Sequence, residues 1–208
     1  MSAHPGGNSA PSPVVRDRSV GVRRVPITYS SFGRHPRHHH PFTHLTEEMW
    51  MQSDGPLTAN VRLRAAVAED AGVVTEVFLA SRTATMPYLP RLHSDEATLS
   101  WITHVVLPDT RVWLAEDAGT GAVLGFASLD GSLLDHLYLR PEARRRGIGT
   151  VLLEAVRSAS PQELSLHVFQ KNTEARAFYE RHGFVVVDTN DGSRNEENEP
   201  DMTYRWTA

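Results

Sequence analysis

The chain has no cysteine. That excludes a disulfide framework, a thiolate nucleophile and a zinc site built on thiolates. Lysine is nearly absent as well. Of 21 basic residues only Lys171 is lysine, a bias that points to a GC-rich bacterial coding sequence. No stretch stays apolar for long enough to span a bilayer. The start lacks the basic-then-apolar pattern of a secretory signal. A cytoplasmic location is therefore expected, and no membrane partner. Neither sign of charge dominates: the net charge of −4 gives no general case for nucleic acid or an acidic membrane surface. No internal repeat is visible. The 208 residues suffice for one good-sized domain with its own core, plus a tail.

The tail is expected at residues 1–58. It is rich in Pro, Gly, Ser, Arg and His and keeps neither the helical nor the strand period, so disorder is the expectation. Within it, Arg34, His35, Arg37, His38, His39 and His40 crowd together. Consecutive histidines in a loose segment bind nickel or zinc adventitiously, so no functional metal is expected. Met49 and Met51 offer internal starts that would omit the cluster.

The folded domain is expected over 59–208. Residues 61–66 alternate and read as a strand. Asp70 stands where a helix cap belongs, ahead of Val73, Val74, Val77 and Phe78 at helical spacing, and that helix is expected to end near Ala80. A loop with Pro87 and Pro90 follows. Ser94 opens a second helix that buries Leu99, Ile102 and Val105, with Asp95 and Glu96 at its positive end. Residues 111–115 and 122–129 read as a hairpin, and 133–139 as another strand. Strands are also expected at 163–168, 184–187 and 202–206, with a helix over 173–181 that ends at Gly183. Hairpins first, then strand–helix–strand–helix, point to one mixed α/β domain around a mostly antiparallel sheet. The polar, acidic run 188–201 reads as a solvated loop able to attract a cationic acceptor.

The most informative stretch is 135–156. An apolar strand ends at Leu139, and after Arg140 and Pro141 comes Arg144-Arg145-Arg146-Gly147-Ile148-Gly149-Thr150. From there Ile148, Val151, Leu152, Ala155 and Val156 fall on one helix face. The first helical turn leaves backbone N–H groups unpaired, and two glycines remove side chains that would fence them off. This is a place for phosphate. It is not the dinucleotide fingerprint, because Leu152 stands where a third glycine belongs. Nor is it a P-loop, because no lysine follows Gly147 or Gly149. Three arginines beside such a loop in an acidic protein suit a phosphorylated cofactor better than nucleic acid.

Arg144-x-x-Gly147-x-Gly149 resembles the coenzyme-A pyrophosphate loop of the GCN5-related N-acetyltransferase family. Asn172-x-x-Ala175-x-x-Phe178-Tyr179-x-x-x-Gly183-Phe184 resembles that family's second acyl-CoA signature at every fixed position. Together the two cover a resemblance from about Val61 to Trp206, weakest across 82–91. It implies a sheet of about seven strands flanked by about four helices, of the α+β type. It implies acetyl-CoA as co-substrate, held by Arg144, Arg145, Arg146, Gly147, Ile148, Gly149, Thr150 and Asn172. The backbone of Leu137, Tyr138 and Leu139 would line its pantetheine arm.

The implied reaction is direct attack of an amine on the thioester carbonyl, with Tyr179 as the acid for the leaving thiolate. An unperturbed phenol, with a pKa of about 10, stays protonated at neutral pH. Asp135 and His136 are candidates for the base. They point to opposite faces of a regular strand, so one of them should face the acceptor. Asp135 is favoured, and a structural role for its carboxylate stands beside that reading. His167 reads as structural. The resemblance places the acceptor pocket at the first two helices and their loop: Arg82, Met86, Tyr88, Leu89, Arg91 and Trp101. Arg82 and Arg91 would suit a carboxylate on the acceptor, and the apolar residues a less charged amine. A small-molecule amine is the first expectation, a protein N-terminus or lysine the second, and a non-catalytic acyl-CoA sensor the rival of another class. Dimers are common among such proteins, so a homodimer is a possible partner state.

Overall fold

The structure, a computed structural model, describes residues 60–208. The expected tail and its histidine cluster lie outside the described residues. The chain begins with β1 (Val61–Ala65), a short 3-10 turn and α1 (Ala71–Thr85). Next comes α2 (Asp95–Trp101), which runs on through a wider π turn (Ile102–Val106) into Leu107–Asp109. Three antiparallel strands follow: β2 (Arg111–Asp117), β3 (Val123–Asp130) and β4 (Leu133–Leu139). Then come α3 (Ile148–Ala159), β5 (Glu163–Phe169), α4 (Thr173–Arg181), β6 (Val185–Asn190) and β7 (Asp201–Thr207). The seven strands make one sheet in the order β1-β2-β3-β4-β5-β7-β6. Every neighbouring pair is antiparallel except β4–β5.

Both faces of the sheet are covered, and the strands' period of two divides the core accordingly. Val112 and Leu114 of β2 pack with Val74, Val77 and Phe78 of α1 and with Ile102 and Val106. Ala115, Leu129, Leu134, Leu164 and Leu166 pack on the other face with Ile148, Leu152, Leu153 and Val156 of α3. Burying each such aliphatic side chain contributes about 2 kcal/mol.

Three local expectations change. Asp70 does not cap α1. Its carboxylate accepts two hydrogen bonds from Arg64, at 2.7 and 2.8 Å, and one from the Val67 amide at 2.8 Å. A cationic partner outcompetes the helix end for the same oxygens. α1 also runs past Ala80 to Thr85, with the Thr85 hydroxyl donating to the Ser81 carbonyl at 2.8 Å. In α2 the wide turn, with Leu107 N–H donating to the Ile102 carbonyl, spends an extra residue. The buried face therefore shifts: Ile102 and Val106 are buried, while Leu99 and Val105 are exposed. Ser94 does cap the helix, accepting from the Ala97 amide at 3.2 Å.

Candidate functional site

The site begins where β4 and β5 part. These parallel strands share a single register pair, Leu133 with Ser165, and a Ser165 amide bond to the Ser132 carbonyl at 2.9 Å. Beyond it β5 is held along its whole length by β7, and β4 by β3. The strands diverge as a wedge. The cleft in the wedge is lined by Leu134–Tyr138 positions of β4, by 166–169 of β5, by Asn172, Ala175 and Tyr179 of α4, and by parts of α1 and α2.

A bulge in β4 shapes one wall. Leu134 is opposite Leu129 and His136 is opposite Ser128, so Asp135 is an extra residue. In a regular strand Asp135 and His136 would face opposite ways. The bulge removes that alternation, and both line the cleft. The His136 Nδ1 lies 2.7 Å from the Ser128 hydroxyl and 3.1 Å from Asp135 Oδ2. In the tautomer that donates to the carboxylate, Nδ1 carries the proton and Nε2 keeps its lone pair. Burial alone would raise the Asp135 carboxyl. The charge and hydrogen bond of His136, with the more distant His167, outweigh it and hold Asp135 below the ordinary carboxylate range. Burial pushes the His167 imidazole down. The His136 ring is enclosed by Trp101, Tyr138, Phe78 and Phe126, with centroids 5.3 to 6.1 Å away.

The opposite wall carries Tyr179, which is buried with its ring edge-on to Phe178 and Phe184 at 5.1 and 5.5 Å. Its hydroxyl has no hydrogen-bond partner among the described residues. Burial, and then the neighbouring Tyr138, push its pKa well above the ordinary phenol value.

The glycine-arginine loop runs from the end of β4 into α3. Gly147 takes a left-handed φ of 80°, and Arg145 a φ of 60°. With these two turns, the amides of 145–148 meet no acceptor among the described residues. A Cβ on Gly149 would meet Phe178 and Leu139 only at ordinary contact, 3.5 and 3.6 Å. The bare backbone there opens the helix end without relieving any clash. The Ile148 side chain is buried in the core, so only its amide is available. The Arg144 guanidinium pairs with Glu174. Arg146 lies near enough to Asp117 to lower that carboxyl, after the hydrogen bonds from the Thr120 and Gly119 amides and the Thr120 hydroxyl. The Thr150 hydroxyl lies 3.1 Å from His182 Nε2. Asn172 caps α4 by accepting from the Ala175 amide at 3.2 Å, and also lines the cleft. Leu137 and Tyr138 line the cleft, while Leu139 packs beside Gly149.

The residues expected to hold an acceptor carboxylate do not offer free charge. Arg82 lines the cleft but donates to Glu197 at 2.8 Å, and Arg91 is paired with Asp95. Tyr88 is not among the lining residues. Its buried hydroxyl has no partner among the described residues, and burial with the nearby Glu199 pushes its pKa up to about 12. The acidic run is only in part the expected solvated loop: Asp191, Ser193, Arg194, Glu196 and Asn198 are exposed, while 188–190 and 201 belong to β6 and β7. Glu196 and Glu197 reach the cleft, where Glu196 faces His93 at 3.1 Å and Glu197 pairs with Arg82, and Glu199 pairs with Lys171 at 3.0 Å. His93, Glu196 and Glu197 are lining residues that sequence reading missed. Gly192 and Asn198, both at positive φ, turn the chain within this run. The sequence shows that a turn occurs there and gives no sign of what it reaches.

The profile of the GNAT acetyltransferase domain matches residues 108–186. The chain is 32% identical over 127 residues to the peptidyl-lysine N-acetyltransferase YiaC of Escherichia coli, covering 61% of this chain and 84% of that one. It is 30% identical, over the same shares, to the E. coli peptidyl-lysine N-acetyltransferase YjaB. Among solved structures, a GCN5-related N-acetyltransferase of Rhodopseudomonas palustris superposes with a TM-score of 0.60 at 26% identity, covering 72% of this chain and 97% of that one. PaiA N-acetyltransferase of Thermoplasma acidophilum, solved with coenzyme A, gives 0.55 at 25% identity, with 71% and 99% covered. These matches place the chain among the acyl-CoA-dependent N-acyltransferases. The chain belongs to the GCN5-related N-acetyltransferase family.

Proposed function

We propose that the chain transfers an acetyl group from acetyl-CoA to the primary amine of a small molecule, by direct attack inside the β4–β5 wedge. One observation carries the proposal. An unpartnered, neutral phenol on one wall faces a hydrogen-bonded imidazole–carboxylate pair on the other. In this reading the amides of the loop and of α3, with Arg144, Arg145, Arg146 and Thr150, hold the pyrophosphate of acetyl-CoA. The open backbone edge of β4 at Leu137, Tyr138 and Leu139 runs beside the pantetheine, and Asn172 adds a polar contact.

The amine proton passes to His136 Nε2, while Asp135 holds Nδ1–H and steadies the imidazolium. Asp135 thus works through His136, because a carboxyl held this acidic is a weak base. The amine nitrogen bonds to the carbonyl carbon, and β4 amides stabilise the oxyanion. The carbon–sulfur bond then breaks, and Tyr179 gives its proton to the sulfur. An N-substituted acetamide and free coenzyme-A thiol result. A second acceptor reading, the ε-amine of a peptide lysine, is favoured by what YiaC and YjaB are named for.

The test is acetyl-CoA titration by calorimetry on the full chain, then thiol release across a panel of amines. Binding with amine-dependent release is expected, and His136→Gln should cut turnover by about a hundredfold. A folded chain that binds no acetyl-CoA, or releases thiol at the same rate without amine, would reject the proposal.

A further inference from the structure

We propose that Glu197, with Glu196 beside it, selects acceptors that carry a second, cationic N–H donor, and that the site disfavours acceptors bearing a carboxylate. The inference rests on the transferase reading above and adds the acceptor's chemistry to it. At the outer end of the cleft stand Arg82, Arg91, His93, Glu196 and Glu197. Each basic side chain there already has an acidic partner. Arg82 gives Nη2 to Glu197, Arg91 is held by Asp95, and His93 lies 3.1 Å from both oxygens of Glu196. An acceptor carboxylate would meet a carboxylate beside each of these groups. Among the described residues lining the cleft, the buried side-chain atom left without a partner is on the negative side. The Glu197 side chain is 4% exposed and uses Oε1 for Arg82, while Oε2 has no partner among the described residues. A buried carboxylate oxygen left unpaired is costly, and an ammonium N–H is the partner that relieves it best.

Position agrees with charge. Tyr138, between the two ends of the cleft, feels the charges of Arg82, Asp135 and Glu197. An amine at Asp135 and His136 can therefore extend past Tyr138 toward Glu197. Phe78 and Trp101, packed against each other with ring centroids 5.7 Å apart, give that path an apolar lining that suits an alkyl chain. The ligand class that fits is an alkyl diamine, or an amine with a cationic group at its far end.

The experiment compares cadaverine, pentylamine and aminohexanoate, amines of similar length that end in a cation, a methyl group and an anion. Both kcat/KM and calorimetric affinity of the acetyl-CoA-loaded chain are measured. Cadaverine should exceed aminohexanoate by at least about tenfold, the worth of one charge-assisted hydrogen bond, with pentylamine between them. Glu197→Gln keeps an oxygen for Arg82 and should shrink the cadaverine-to-pentylamine ratio to about twofold or less. Should that variant not fold, Glu196→Gln is expected to narrow the same ratio in part. Aminohexanoate matching cadaverine, or ratios unchanged in folded variants, would overturn the inference. A chain that binds cadaverine selectively yet acetylates no amine would instead sink the transferase reading and leave the selectivity standing.

Discussion

Tyr179→Phe separates chemistry from packing. The substitution removes one oxygen and keeps the ring, so the contacts with Phe178 and Phe184 remain. The lost hydroxyl has no partner among the described residues, so no buried group is orphaned. Stability should change by no more than about 0.5 kcal/mol. Turnover should change far more, because a positioned general acid contributes about 10²- to 10⁴-fold, or roughly 3–5 kcal/mol of barrier. The assays are thiol release at saturating amine, acetyl-CoA affinity by calorimetry, and a thermal melt. The expected pattern is a fall in kcat of at least about a hundredfold, with affinity and melting temperature nearly unchanged. The pH profile adds a check with a definite sign. The acid must be protonated to act, and burial raises its pKa above the ordinary value. Activity that depends on this proton should therefore persist through about pH 10 and be lost only above it. A variant with wild-type kcat would refute the acid role, and so would an alkaline limb near pH 8 that Tyr179→Phe abolishes.

Two further perturbations test other parts of the structure. Gly147→Glu forces a side chain into a left-handed φ of 80° and sets a negative charge beside the loop amides. Acetyl-CoA affinity should fall by about a hundredfold or more, since like charges in contact cost several kcal/mol. Gly147→Ala should show mainly the backbone strain, about 1 kcal/mol in a melt, and unchanged affinity in folded Gly147→Glu would reject the phosphate placement. Asp70→Ala should lower stability by about 2 kcal/mol, roughly 4–8 °C in melting temperature, because it removes two charge-assisted hydrogen bonds from Arg64 and leaves that side chain with Glu116 alone. In the wild type the Arg64 hydrogen bonds lower the Asp70 pKa. This contribution is therefore complete above the unfolded carboxylate pKa of about 4 and is lost as the pH falls below it. A stability curve as flat in wild type as in Asp70→Ala between neutral pH and about 3 would refute the assignment.

The fold was legible because each element repeats one signal many times. Ile148, Leu152 and Val156 mark the buried face of α3 by spacing alone, and each is fully or almost fully buried. In β2, Val112 and Leu114 alternate with the less buried neighbours that precede them, while β3 shows itself as a short apolar run buried from Val123 to Leu129. The loop around Gly147 was legible for a different reason: its conformation needs glycine, and the helix begins at Ile148. What failed to show depends on pairing between distant residues. Asp70 looks like a cap until Arg64 is placed beside it. The Arg82 and Arg91 guanidinia look available until Glu197 and Asp95 arrive. Glu196 and Glu197 belong to a run that any reading by composition assigns to solvent, yet both line the cleft. The positions of Asp135 and His136 turn on which residue of β4 is extra, and that is set by register with β3.

That single irregularity also accounts for where the cleft lies. A bulged strand bends and twists more strongly than a regular one. The extra residue of β4, Asp135, comes two positions after Leu133, the last residue to pair with β5. β4 therefore turns away from β5 as soon as the pairing ends, while β7 keeps β5 on its own course. The same insertion that opens the wedge brings the Asp135 and His136 side chains into it. Ser128, directly across on β3, then supplies the oxygen that fixes the imidazole at 2.7 Å. A bulge one residue earlier or later would still bend the strand, but it would move His136 out of register with Ser128. Opening of the cleft and aiming of the base are thus one structural event, which is why the cleft and the imidazole–carboxylate pair occur together.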